Sequence, residues 1–236
     1  MVAGNRVLIV GGSSGIGFAT AKLFVQQGAE TTVASHDPAK LDEAVRRIGQ
    51  GARARQLDIM NDESIVDFFA SEGAFSHIVV TAAATETGSI RDLPLKAAYK
   101  SMDSKFWGAY RVARSAMFSK DGSLTLVSGF LSHRPDANSV LQGAIINSAI
   151  EGLVRGLALE FAPVRVNAVS PGIVDTTLYH KLPKAERDQM LRRAADRLPV
   201  RRVGEADDVA AAILLLATNP FATGSVLTLD GGGTIA

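Results

Sequence analysis

Residues Arg6 to Gly28 read RVLIVGGSSGIGFATAKLFVQQG. Val7 to Val10 is an unbroken apolar run, the pattern of a strand buried on both faces of a parallel sheet. Gly11-Gly12-Ser13-Ser14-Gly15 follows with no bulky side chain, and Ile16 to Gln27 then places Ile16, Ala19, Leu23 and Phe24 at helical spacing. Gly28 marks the helix stop, where a left-handed residue is common. A strand, a glycine turn and a helix in that order suit an anion. The first N–H groups of the helix lack partners within it, and the positive end of its dipole favours phosphate. Gly11 allows a tight turn. Gly15 and Gly17 let a pyrophosphate and the neighbouring strand approach the backbone, and Ser13 and Ser14 offer hydroxyls. The alternative is a tight turn without a ligand. Strand and helix signals alternate along the whole chain, which favours a nucleotide site.

The bulk composition narrows the class. A chain of 236 residues, 47% apolar and 21% charged, suits one large α/β domain with a sizeable core. The formal charge of +1 gives no electrostatic ground for nucleic acid or an anionic membrane as partner. With no cysteine, disulfides, thiol catalysis and thiolate metal sites are excluded. The four histidines show neither HxxH nor HExxH spacing, so no metal site is expected. There is no signal-peptide pattern and no bilayer-length apolar stretch, so the expectation is a cytoplasmic protein.

Downstream, Thr31 to Ser35 reads as a second strand. An acidic residue at its end would bind ribose hydroxyls and favour NAD; this chain has Ser35 and His36 instead. Neither repels a 2′-phosphate, and a protonated His36 could pair with one, so the reading favours NADP(H), with NAD(H) the alternative. Asp37-Pro38 opens a helix to Ile48. Ala52 to Leu57 is an edge strand carrying Arg53 and Arg55, ended by Asp58, which could meet an adenine amino group or serve a loop. Asn61 caps a helix to about Ser71, and Ser76 to Thr81 is a fourth strand. The small residues Ala82-Ala83-Ala84 after it let backbone approach a cofactor. A helical stretch from about Leu95 to Ser119 leads to a strand at Gly122 to Ser128 and a polar loop with Ser132, His133 and Arg134. Ser139 to about Phe161 is a helix apolar almost all round, as expected of one buried against a sheet and a partner together. A strand at Val164 to Val169 breaks at Ser170-Pro171-Gly172. Thr176 to Val200 reads as a mobile helical lid. Glu205 to Thr218 is a last helix and Ser225 to Leu229 a last strand.

Together these residues resemble the short-chain dehydrogenase/reductase family over essentially the whole chain. The glycine turn matches TGxxxGxG without its threonine, Asp58 with Ile59 matches the acidic position after the third strand, and Arg165 to Gly172 (RVNAVSPG) matches the nicotinamide-side segment. The resemblance implies a single domain over 1–236, a Rossmann-type doubly wound α/β fold with a seven-stranded parallel sheet and helices on both faces. It places Pro171, Gly172, Val174 and Thr176 at the cofactor, with Thr176 as the carboxamide-binding threonine. It also implies a homodimer or homotetramer acting on a small-molecule substrate.

The family's YxxxK does not appear. Registering the helix on Gly152-Leu153 and Ala158-Leu159-Glu160 puts Gly143 at the Tyr position and Asn147 at the Lys position, while Lys105 stands where the preceding helix usually carries Asn. The expectation is an exchanged pair, with Asn147 on the ribose hydroxyls and Lys105 restoring the positive charge; the alternative is a surface lysine. Ser128 matches the catalytic serine and would hold a substrate oxygen. Gly143 would leave the pocket wider than usual. These residues point to an NADP(H)-dependent oxidoreductase moving hydride to or from a small carbonyl, imine or alkene, with an altered proton-transfer site. A catalytically silent NAD(P)-binding sensor or interaction protein is the rival.

Overall fold

A computed structural model describes residues 2–236. Its strands are β1 (Arg6–Val10), β2 (Glu30–Ser35), β3 (Ala52–Gln56), β4 (Phe75–Val80), β5 (Phe118–Val127), β6 (Arg165–Pro171), β7 (Val174–Asp175), β8 (Gly204–Glu205) and β9 (Val226–Leu229). The α-helices are α1 (Gly15–Gln26), α2 (Pro38–Ile48), α3 (Asp62–Glu72), α4 (Leu95–Met102), α5 (Gly108–Ser115), α6 (Ser148–Glu160), α7 (Lys184–Arg197) and α8 (Ala206–Thr218). Seven strands form one parallel sheet in the order β3-β2-β1-β4-β5-β6-β9. β7 and β8 pair separately.

The alternation of side chains along β1 sorts the core into two layers. Leu8 and Val10 face α3, α5 and α6 through Phe68, Phe69, Val112 and Val154. Val7 and Ile9 face α1, α2 and α8 through Phe24, Leu41 and Ile213. Both faces of the sheet are covered, which is why its central strands read as continuous apolar runs. Caps act where the residue types suggest. Asp37 accepts from the Lys40 amide at 3.2 Å, Asn61 from the Ser64 amide at 2.9 Å, and Gly28 takes φ +83 just past α1.

Two boundaries differ from the sequence reading. The helical stretch from Leu95 ends at Ser115, because β5 begins at Phe118, whose pairing with Phe75 draws the chain into the sheet early. That stretch is also not one helix: α4 and α5 are joined by a π-type turn, Asp103–Trp107. A second π-type segment, Leu141–Asn147, precedes α6. Such wide turns are rare and gather at functional sites. The segment from Thr176 to Val200 is helical, with a 3₁₀ turn at Thr177–Lys181 before α7.

β1, β2 and β3 run outward in one direction while β4 lies on the other side of β1. This reversal opens a crevice at the carboxyl ends of β1 and β4, where ligands of open α/β sheets bind. The loops carrying Gly11 to Gly17, Ser35 and His36, Asp58, Ala82 and Ala83, Ser128, and Pro171 to Thr176 all leave from that edge.

Candidate active site

The glycine turn is defined by what it has no room for. A side chain at Gly11, which sits at φ +89, would begin 2.5 Å from the Ala82 amide nitrogen. One at Gly17 would overlap the Gly11 carbonyl oxygen and lie 2.5 Å from Thr81 Oγ1. Thr81 donates its hydroxyl to the carbonyls of Val10 and Gly11, at 3.1 and 3.3 Å, tying the end of β4 to the turn. Ser14 occupies the N-cap of α1 but makes no side-chain capping bond. The first-turn donors of α1 are therefore left for an anion rather than for the protein's own hydroxyl. Thr176 packs over this turn, its Cβ 3.5 Å from where a Gly15 side chain would start.

The remaining cofactor-side candidates divide by exposure. Ser35 is half-buried and His36 exposed at the end of β2. Asp58 is exposed, with one carboxylate oxygen accepting from the Met60 amide at 2.9 Å. Ala82 is half-buried and Ala83 exposed. Ile59 and Val174 turn their side chains into the core. Ile59 lies against Gly108, where any side chain would meet it at 2.7 Å. Gly172 passes so close to Asp230 that a Cβ there would sit 2.7 Å from the Asp230 Cα. The RVN portion of the nicotinamide-side segment braces the fold: Arg165 donates to the carbonyls of Leu216, Ala217 and Ala222, and Asn167 bonds Ala222 and Ser225.

Just past the end of β5, Lys105 and Asn147 meet. Lys105 is only 9% exposed, and its ammonium donates to Asn147 Oδ1 at 2.6 Å and to the Ser128 carbonyl at 2.9 Å. It is not a surface lysine. The two residues come from the two π-type segments, and the Asn147 amide group donates onward to the Gly129 carbonyl at 3.2 Å. A Cβ at position 129 would stand 2.8 Å from Asn147 Nδ2 and push that amide from its place. Burial strips water from the ammonium and brings the Lys105 pKa down to about 8, while the charge of Glu151 partly opposes the fall.

Glu151 escaped the sequence reading. It lies one turn beyond Asn147 on α6 and is 5% exposed. Its Oε1 accepts from Ser128 Oγ at 3.1 Å and from Ser132 Oγ at 2.6 Å, and its Oε2 is 3.5 Å from His133 Nε2. The available signal was a lone acid, four residues after Asn147, in the apolar run from Ile145 to Leu159. The expected role of Ser128 as donor to a substrate oxygen meets a hydroxyl already donating to Glu151.

The expected widening at Gly143 is corrected. A side chain at Gly143 would begin 2.6 Å from Leu131 Cβ and 3.0 Å from the Leu131 carbonyl oxygen. The loop after β5 has closed onto the helix, so the missing phenol leaves no added space.

Comparison with known proteins identifies the family. A family model described as Enoyl-(Acyl carrier protein) reductase matches residues 10–234. A short-chain dehydrogenase/reductase of Acremonium sp is 32% identical over 252 residues, covering 98% of this chain and 95% of its own. This chain belongs to the short-chain dehydrogenase/reductase family. The structure of a small-chain dehydrogenase in complex with NADPH is 37% identical to this member, with a TM-score of 0.87 over 99% of this chain and 100% of that one. An NADPH-bound short-chain oxidoreductase from Pseudomonas aeruginosa PAO1, described as containing an atypical catalytic center, superposes with a TM-score of 0.88 at 26% identity, covering 97% and 96% of the two chains.

Proposed function

We propose that this protein is an NADP(H)-dependent oxidoreductase whose proton-transfer site is rebuilt around Lys105 and Asn147. The observation that carries the reading is the buried Lys105–Asn147 contact, in a fold whose glycine turn leaves the start of α1 without a side-chain cap. The two NADPH-bound neighbours and the presence of Ser35 and His36, rather than an acid, at the end of β2 support the phosphorylated cofactor. NADP(H) fits the residues present. The turn from Gly11 to Gly17 would hold the diphosphate, Ser35 and His36 would face the 2′-phosphate, and Asp58, Ala82, Ala83 and Thr176 would line the rest. Bound there, a reduced nicotinamide supplies hydride from C4. Asn147, fixed by Lys105 and Gly129, orients the ribose hydroxyls with its remaining amide hydrogen. Lys105 gives a proton to the substrate oxygen or nitrogen, or stabilises the charge that develops on it. A lysine held in the interior near neutral ionisation lowers stability, and such groups gather where chemistry needs them.

The substrate class is a small carbonyl, imine or activated alkene, with residues 176–200 acting as a lid. Two copies would pair through the helices bearing Trp107, Tyr110 and Leu159, whose apolar side chains are exposed; a homotetramer would add β9. Among the described residues no helix is long and apolar enough to cross a membrane, which fits the cytoplasmic assignment proposed here. The test is a fluorescence titration with NADPH and NADH, followed by NADPH consumption against a carbonyl, imine and enone panel. NADPH binding tighter than NADH, with turnover on at least one class, is expected. Tight binding with no turnover on any compound would instead support the sensor reading.

A further inference from the structure

We propose that Glu151 is a positioning residue of this site, the buried counter-charge that sets the ionisation of Lys105 while its carboxylate fixes the Ser128 and Ser132 hydroxyls. The proposal rests on the reading of Lys105 as the proton-bearing group.

Lys105 and Glu151 are both buried and neither has a direct ionic partner of the usual kind. Among the described residues no carboxylate lies within ion-pair distance of the ammonium and no lysine or arginine within that distance of Glu151, whose Oε2 is 3.5 Å from Nε2 of the half-exposed His133. An isolated buried charge costs several kcal/mol, so each must be compensated from nearby. Ser128 supplies the link. Its main-chain carbonyl accepts from Lys105 at 2.9 Å and its hydroxyl donates to Glu151 at 3.1 Å. Asn147 closes the π-type segment and Glu151 lies one turn on in α6; through Ser128 the ammonium and the carboxylate flank the residue that follows β5. The charges facing Lys105 are few. Asp103, in its own π-type turn, is committed to Arg111 at 2.7 Å. From the π-type segment comes Asn147, from α6 Glu151, from the end of β5 the Ser128 carbonyl, and from the following loop His133 behind Glu151.

The indirect pairing has a chemical use. A carboxylate in contact would hold the lysine proton tightly and occupy one of its three hydrogens. At one residue's remove, Glu151 favours the charged form yet leaves a third ammonium hydrogen without a protein acceptor among the described residues.

The experiment follows Lys105 directly. Protein labelled with ¹³C at the lysine Cε is titrated by NMR, the Lys105 signal being assigned by its loss in Lys105→Met, or in Lys105→Gln where the methionine variant does not fold. Glu151→Gln is expected to lower the Lys105 midpoint by about one pH unit or more, the size of effect an opposite charge exerts at close range. Glu151→Met is expected to do the same and serves if the glutamine variant does not fold. Glu151→Asp, which keeps the charge, is expected to restore most of the wild-type midpoint, and His133→Gln to move it by less than Glu151→Gln. A midpoint unmoved or raised in the uncharged variants overturns the proposal. The titration needs no cofactor or substrate, so failure to bind NADPH would sink the oxidoreductase reading while leaving the part played by Glu151 decided on its own data.

Discussion

The glycine turn ahead of α1 and the corner where Lys105 meets Asn147 lie on the same sheet edge and are built by opposite means. The turn is made of backbone. Its geometry is enforced by close approaches between Gly11, Gly17, Thr81 and Ala82 that leave no room for a Cβ. The corner is made of side chains drawn from α6, the loop after β5 and the two π-type segments, joined by bonds of 2.6 to 3.2 Å. A backbone site has few ways to be assembled. A side-chain site can exchange its members between helices and keep the charge where it is needed.

Gly17→Ala should break the comparison most severely. The added methyl collides with main chain that cannot yield, so NADPH affinity is expected to fall by about 100-fold or more, with a stability loss of about 1–3 kcal/mol. Fluorescence titration and thermal melting measure the two effects. A variant that bound NADPH like the parent would show that the turn is not the cradle.

Lys105→Met comes next. It removes the charge and leaves the Asn147 Oδ1 and Ser128 carbonyl acceptors buried without a donor, each worth about 1–3 kcal/mol. Loss of a proton-bearing group is expected to lower kcat by roughly 10²- to 10⁴-fold. Unchanged cofactor affinity and turnover would take Lys105 out of the site.

Restoring the usual residues sharpens the contrast. Gly143→Tyr combined with Asn147→Lys is expected to gain no activity, because the new Cβ at 143 meets Leu131 at 2.6 Å. Overpacking of this kind costs about 1–3 kcal/mol, or roughly 2–10 °C in Tm for a chain of this size. An active double variant would show that the corner is a simple loss rather than a rearrangement.

The smallest effect lies inside the sheet, in its central strand. His77 is buried in β4, its ring bonded to Ser123 Oγ at 2.9 Å and Asn5 at 3.2 Å, and burial with the nearby Arg165 charge brings its pKa from 6.5 to about 4. Between those values the unfolded chain binds a proton that the folded one refuses. Stability contributed by neutral His77 is therefore intact above pH 6.5, declines as pH falls toward 4 and levels off below. Melting temperature against pH should show this decline and His77→Gln should flatten it, while the Lys105 titration near pH 8 stays in place.

Legibility in the sequence followed the same division. The alternation of strands and helices, the glycine turn and the caps at Asp37 and Asn61 were readable because periodicity and local turn chemistry determine them. The exchange of Lys105 and Asn147 could be proposed only by registering two helices against the family pattern, since nothing local says that residues 42 apart will touch. Glu151 was missed because an acid on a helix ordinarily faces water, and only the approach of Ser128 and Ser132 reveals its burial. Gly143 misled for a related reason: an absent side chain was taken as space, whereas packing drew Leu131 into it.

The two wide turns carry a further consequence. Each holds one residue more per turn than an α-helix would, and each lies where the chain presents Lys105 or Asn147. Deleting a single residue from either would let it tighten into regular α-helix, which keeps what lies beyond nearly in phase but re-aims the side chains inside the segment. The partnership between the two helices therefore tolerates changes of letter far better than changes of length, and insertions or deletions in natural variants should avoid 103–107 and 141–147.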